Sequence, residues 1–170
     1  TVTEIYDYLR LLFARVGVPH CIHCGQVIRR QTVQQIVDSV LAHPAGTRAL
    51  LLAPLMRHKR GEHREVFESV RRAGFIRMRV DGNVIEMEQT PDLERNKWHD
   101  LDVVVDRLVI PGPDDEDYAG ARQRVSESVE QALKLGEGAL LFAPEGLEEV
   151  TYSERFACPN QTHPPYSVPE

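Results

Sequence analysis

Cysteine is scarce in this chain, three residues in 170. An odd and low count cannot supply a disulfide framework, and it suits a reducing, cytoplasmic setting. Long apolar runs are missing too, and nothing approaches the ~20 residues a helix needs to cross a bilayer. Positive charge is in deficit: 20 Lys and Arg against 26 Asp and Glu give a net charge of −6. That balance is a poor overall match for DNA or RNA, although it leaves room for a local basic face. The nucleotide-cradling patterns G-x-x-x-x-G-K-[ST] and G-x-G-x-x-G do not occur, and neither do G-x-S-x-G and H-E-x-x-H. Gly136-Glu137-Gly138 alone reads as a helix stop. Glu62, His63 and Asp106 could be written into an acid–base scheme, but no spacing joins them. The expectation is a non-catalytic module. The chain opens Thr1-Val2-Thr3-Glu4, with no initiator Met and no signal peptide, and reads as a fragment of a longer protein.

What remains is an ordinary globular composition, 42% hydrophobic and 27% charged, enough to build a core. Glu4 to Val16 has helical periodicity through Ile5, Tyr8, Leu9, Leu12 and Phe13, with Thr3 as N-cap and Gly17 and Pro19 ending it. Thr32 caps a second helix through Val33, Ile36, Val37, Val40 and Leu41. The period then changes. Ala49 to Ala53 is a short buried strand closed by Pro54, followed by a basic loop, Arg57 to Gly61. Glu62 to Arg72 returns to helix, and Phe75 to Val80 alternates as a strand. Asp81-Gly82 is a hairpin turn, and Val84 to Met87 is the returning strand. Leu101 to Val109 is the longest strand candidate, Arg122 to Leu135 the longest helix, and Gly138 to Ala143 a last strand. Residues after Pro144 read as irregular. This pattern predicts an α+β fold, a mixed but largely antiparallel sheet with helices packed on it. It divides into N-terminal helices and a metal junction (1–46), a central α+β domain (47–144) and a C-terminal junction tail (145–170).

Two constellations carry chemistry. Cys21-x-x-Cys24-Gly25 is half of a zinc knuckle: two thiolates at this spacing hold one ion across a tight turn. Cys158, with His163 five positions on, supplies a second pair. The set Cys21, Cys24, Cys158 and His163 would close a structural Zn²⁺ site from the two ends of the chain. The same residues also suit free or buried thiols, or a redox pair, although Gly25-Gln26-Val27 lacks the helix start typical of redox motifs. The second constellation is arginine. Arg77 and Arg79 alternate with Ile76, Met78 and Val80, so both share one sheet face. Arg107, if it ends a neighbouring strand, would join them. Such a cluster suits bidentate carboxylate pairing at a protein interface, and equally describes a solvated sheet face. A further reading is a zinc-containing nucleic-acid-binding module using Arg57, Lys59, Arg60, Arg77 and Arg79.

The residues also carry a resemblance. The run Thr1 to Gly17 resembles a segment of the UvrA family of bacterial nucleotide excision repair. The likeness continues through Gln31-Thr32, Leu51 to Pro54, Arg60 to His63, Gly74 to Gly82, Val103 to Arg107 and Phe156 to Pro159. It implies the UvrB-binding domain, inserted in the first ATP-binding half of the parent. Implied partners are UvrB and the UvrB-like module of the transcription–repair coupling factor. ATP and DNA binding, and homodimerisation, would belong to other parts of the parent. The family's interface arginines fall on Arg77 and Arg107, with Arg79 and Arg60 as weaker candidates. The resemblance also implies cysteine pairs at the two junctions. Here the second pair is altered, because Gln161 stands where C-P-x-C would have its second Cys, and this leaves His163 as the substitute.

Overall fold

The computed structural model describes residues 2–28, 30–155 and 158. The chain divides into two compact units, one running from Gln31 to Glu154 and the other built from the segments on either side of it. No helix among the described residues is long and apolar enough to cross a membrane.

The larger unit is an α+β layer structure. Six strands, β1 (Arg48–Arg60), β2 (Arg77–Val80), β3 (Asn83–Glu86), β4 (Trp98–Val109), β5 (Ala139–Pro144) and β6 (Val150–Ser153), form one sheet in the order β3-β2-β4-β1-β5-β6. Each neighbouring pair is antiparallel. Helices α2 (Val33–Leu41), α3 (Arg64–Arg72) and α4 (Tyr118–Leu135) all cover one face of it. The period-2 pattern of the strands decides which face. Ala49, Leu51 and Ala53 of β1 and Leu101 and Val103 of β4 point toward the helices. There they pack with Ile36, Val37 and Val40 of α2, Phe67 and Val70 of α3, and Val125, Val129, Ala132 and Leu133 of α4. The opposite face carries only a small apolar group, Leu52, Val104 and Leu141 with Leu50 and Ala143.

Local chemistry explains the element ends. Thr32 and Gln35 form a reciprocal capping box, in which the Gln35 N–H donates to Thr32 Oγ1 (3.2 Å) and the Thr32 N–H to Gln35 Oε1 (3.0 Å). The β2–β3 turn places both Asp81 (φ 48°) and Gly82 (φ 84°) in the left-handed region, as a two-residue hairpin requires. The Gln31 N–H donates to the Ser153 carbonyl (3.0 Å) and the Ser153 N–H to Gln31 Oε1 (3.3 Å). The first and last residues of the larger unit are therefore neighbours. That is the geometry of a module that leaves its host chain and returns to it at one place.

Several expectations change. Pro54 does not close β1, which continues to Arg60 and takes in the residues read as a basic loop. The physical reason is pairing. β5 accompanies β1 only from Ala49 to Leu52, so Pro54 lies past the end of that ladder, where its missing N–H costs nothing. Val150–Ser153, read as irregular, adds an edge strand whose Tyr152 is buried. The larger unit is accordingly wider than 47–144, because α2 and β6 both contribute to its core. Helix α1 spans Val2–Val16 in the other unit, so Thr3 lies inside it and does not cap it. Its apolar stripe is exposed, with Tyr8 at 74% and Phe13 at 68%.

Two tests follow from this packing. A Cβ on Gly136 would come within 2.1 Å of the Ala139 carbonyl and 2.8 Å of Pro54 Cδ, so Gly136→Ala forces the α4–β5 turn off β1. We expect a loss of about 1–3 kcal/mol by denaturant unfolding; an unchanged midpoint would contradict this packing. The second concerns His99, which is 5% exposed. Its Nδ1 lies 2.7 Å from Asp81 Oδ2 and its Nε2 3.0 Å from the Glu94 carbonyl. Both partners only accept, so the ring satisfies both only as imidazolium. The hydrogen bond to Asp81 raises its pKa above the ordinary value, with burial opposing. A raised folded pKa contributes stability that is fully present below the unfolded value, near 6.5, and is lost as pH rises through the folded one. Unfolding midpoints measured across that window should fall with pH in the parent chain and flatten in His99→Gln.

Candidate functional site

The cysteine cluster is built by a short hairpin. His20 and Val27 form an antiparallel bridge. The Cys21 N–H donates to the Gln26 carbonyl and the Gly25 N–H to the Cys21 carbonyl, both at 2.8 Å. Gly25 takes a φ of +73°, which closes the turn and which a residue without Cβ adopts without strain. Inside this turn the His23 N–H points at Cys21 Sγ (3.4 Å). Cys158 approaches the same turn, its Sγ 3.5 Å from that of Cys24. This separation is well beyond the ~2.05 Å of a disulfide. The three sulfurs lie within 4.8 Å of one another. Tetrahedral coordination at a metal–sulfur distance of about 2.3 Å separates sulfurs by roughly 3.8 Å, so the donor set fits a soft divalent ion. The sequence thus placed three of its four proposed ligands together. His163, the fourth, lies outside the described residues, and His23 contributes its backbone N–H to the turn.

The arginines occupy the helix-free sheet face. Arg79 lies opposite Asp102 in the ladder, and Arg77 shares its side of β2. Arg107, opposite Leu50 on β4, shares the face and is exposed. The face is organised around one carboxylate. Asp102 is 2% exposed and is gripped by Arg57 and by Arg79 Nε (2.8 Å). Burial pushes its carboxyl up, against the pull of Arg57 and Arg79. Arg79 also holds Glu149 through its two terminal nitrogens. Arg79 is therefore committed to two internal carboxylates. Arg77 has a looser partner, Glu86 directly opposite on β3 (3.1 Å), with Arg77 half-buried and Glu86 exposed. Arg60 is not part of this group. It stands at the far end of β1 with its guanidinium over Trp98 (Cζ 4.6 Å from the ring centroid).

The residues of the abandoned acid–base scheme are kept apart. Asp106 turns to the helix face, accepting from Arg124 Nη2 (2.7 Å), Arg124 Nε (3.1 Å), Ser128 Oγ (2.8 Å) and the Arg107 N–H (2.7 Å). Burial alone would raise its pKa, yet these donors bring it below the ordinary carboxylate value. Glu62 pairs with Arg64 and His63 contacts the Lys59 carbonyl, at the other end of β1. Sequence reasoning missed Asp102, Glu149 and Glu86. Asp102 did leave a signal, as an acid set directly between the apolar residues Leu101 and Val103 of β4. Nothing in the sequence marks Glu149 as its neighbour's partner.

Comparison with known proteins agrees with this architecture. The family model described as the UvrA interaction domain matches residues 31–146, nearly the whole of the larger unit. Curated relatives named UvrABC system protein A align over 94% of this chain. The protein from Methanothermobacter thermautotrophicus is 51% identical over 162 residues, that from Pseudomonas aeruginosa 48% over 163, and that from Bacillus subtilis 45% over 160. The chain spans 16% of the length of each of these relatives. With the matched model covering the sheet and its helices, the chain belongs to the UvrA family of excision-repair proteins and contains that family's interaction domain.

Proposed function

We propose that this chain is a non-catalytic docking module that recruits UvrB, using the helix-free face of its sheet. The observation that carries this reading is the match of the interaction-domain model to the Gln31–Glu154 unit. The face itself supports it. Helices cover one face of the sheet, and the other presents arginines along its ladder. Arg107 is exposed, and Arg77 is restrained only by an exposed Glu86. Arg107 and Arg77 are thus the cations ready to pair with carboxylates of a docked protein. Arg79, already spent on Asp102 and Glu149, positions the face rather than contacting the partner. Arg60 lies too far along β1 to share that contact. The UvrB-like module of the transcription–repair coupling factor would use the same face. ATP hydrolysis, DNA binding and dimerisation are assigned to the rest of the parent.

We further assign a structural Zn²⁺ to Cys21, Cys24 and Cys158, with His163 as fourth ligand. Bound there, the ion supplies a cross-link between two segments distant in sequence and no open position for catalysis.

Charge reversal tests the docking face. In a titration with UvrB, Arg107→Glu and Arg77→Glu should each weaken binding, by about 2–5 kcal/mol where the pair is desolvated in the complex, with unfolding midpoints close to the parent's. Affinity left intact by both would sink the assignment. For the metal, analysis of the purified chain should find one zinc per chain, lost in Cys24→Ala and reduced in His163→Ala. Full zinc retention in His163→Ala removes His163 from the ligand set.

A further inference from the structure

Past the end of β5 and past Leu101, the last β4 residue paired with β2, strands β1 and β4 continue together as a two-stranded arm, with Lys59 opposite His99 and Arg60 opposite Trp98. The ladder slips between Met56 and Lys59, so that β1 holds one residue more than β4. Within the slipped stretch, His58 takes a φ of +48°, a strained conformation for a residue with a Cβ. Its N–H is held by Asp100 Oδ1 (2.6 Å). A bulge of this kind re-aims a side chain, and strain of this kind persists where the surrounding structure imposes it. Here it turns the His58 ring flat onto Trp98, with centroids 4.3 Å apart and planes 7° from parallel. Arg60 contacts the same indole. Trp98 nonetheless remains 49% exposed, and His58, Lys59 and Arg60 are all exposed.

The charges around the stack are unevenly satisfied. Glu62 is paired with Arg64, Glu94 with Lys97, Asp81 with His99, and Asp100 holds the His58 N–H. Among the described residues, neither Lys59 nor Arg60 pairs with a carboxylate. An exposed aromatic stack flanked by two unpaired cations, in a chain whose net charge is negative, is the arrangement that binds phosphates and base faces together. Carboxylates alone would not need the stack. A duplex would not offer it a base face, since its bases already stack on one another.

We propose that the tip of the β1–β4 arm binds single-stranded nucleic acid, with Lys59 and Arg60 on the phosphates and the His58–Trp98 stack against an unpaired base. This surface is separate from the docking face: Arg60 and Leu50, the partner of Arg107, are ten residues apart on β1, roughly 30 Å in extended chain. It does not depend on UvrB.

Trp98 is the only tryptophan in the chain, so its emission reports on this site alone. Titrating the chain with a short thymidine oligonucleotide at low salt should quench that emission saturably. Two phosphate contacts on a single strand predict a log–log salt slope of about −1.4. Lys59→Glu should weaken binding about tenfold or more, and His58→Ala about 5- to 100-fold through loss of one stacked base. Circular dichroism of both variants should match the parent's. Should His58→Ala disturb the bulge, Lys59→Glu, exposed and outside the stack, decides alone. The proposal is overturned by an absence of quenching, by quenching that Lys59→Glu leaves unchanged, or by a duplex or a polyglutamate peptide quenching as tightly as the single strand. The last result would mark the arm as a contact for an acidic protein.

Discussion

Strand β1 is paired on both sides along its first half and on one side only along its second. Much of the architecture depends on that asymmetry. Where β4 and β5 flank it, β1 is the centre of the sheet, and Ala49 and Leu51 take part in the main core beneath α2 and α4. Where β5 stops, a proline is tolerated and Gly136 brings the end of α4 down on it. Beyond that point β1 pairs with β4 alone, and past Leu101 β4 in turn loses β2. The ladder slips twice more there, and the side chains it carries change from apolar to basic. One strand thus spans a core, a packing junction and an exposed arm, because its number of neighbours falls along its length.

The helices choose one face of this sheet, and that choice creates a problem on the other. Leu52, Val104 and Leu141 must be kept from water without a helix to cover them. Buried charge is part of the solution. Asp102, inserted among apolar neighbours, would be costly alone, but Arg57 and Arg79 converge on it, and Arg79 extends the network to Glu149. Such networks give little net stability, because desolvation offsets most of the attraction. Their effect is to fix where the arginines stand. On such a face the arginines are positioned before any partner arrives, which is the property the proposed docking role requires.

Much of this was legible in the sequence. The cap at Thr32, the turn at Asp81-Gly82 and the apolar stripe of α4 are local signals, and each forms as its chemistry dictates. The nearness of Cys158 to Cys21 and Cys24 followed from donor type alone, since few soft ligands were available to complete a site. What escaped was non-local. Whether Pro54 ends a strand depends on where β5 stops, and no window around Pro54 contains that fact. The stripe on α1 reads as a core face by period, yet it is exposed here; periodicity reports that a face is apolar, not what covers it. The Asp102 network joins residues from β1, β2, β4 and the turn before β6, and only the assembled sheet puts them together.

The position of Arg60 shows why placement has to decide between readings that composition leaves equal. By residue type Arg60, Arg77, Arg79 and Arg107 are interchangeable; the strand pattern groups Arg77, Arg79 and Arg107, and the family resemblance adds Arg60. The sheet separates them by what each already holds. Arg79 is fixed by two carboxylates, Arg77 by one exposed carboxylate, Arg107 stands exposed at its place on β4, and Arg60 rests on an aromatic ring at the other end of the longest strand. The four arginines are therefore held in four different ways. A cation bound to a buried acid shapes the surface, a cation on an exposed acid can exchange it for another, and a cation on an indole offers charge and a π-surface together. Because the first two kinds lie on the sheet face and the third on the arm, the proposed docking face and the proposed nucleic-acid tip draw on different arginines.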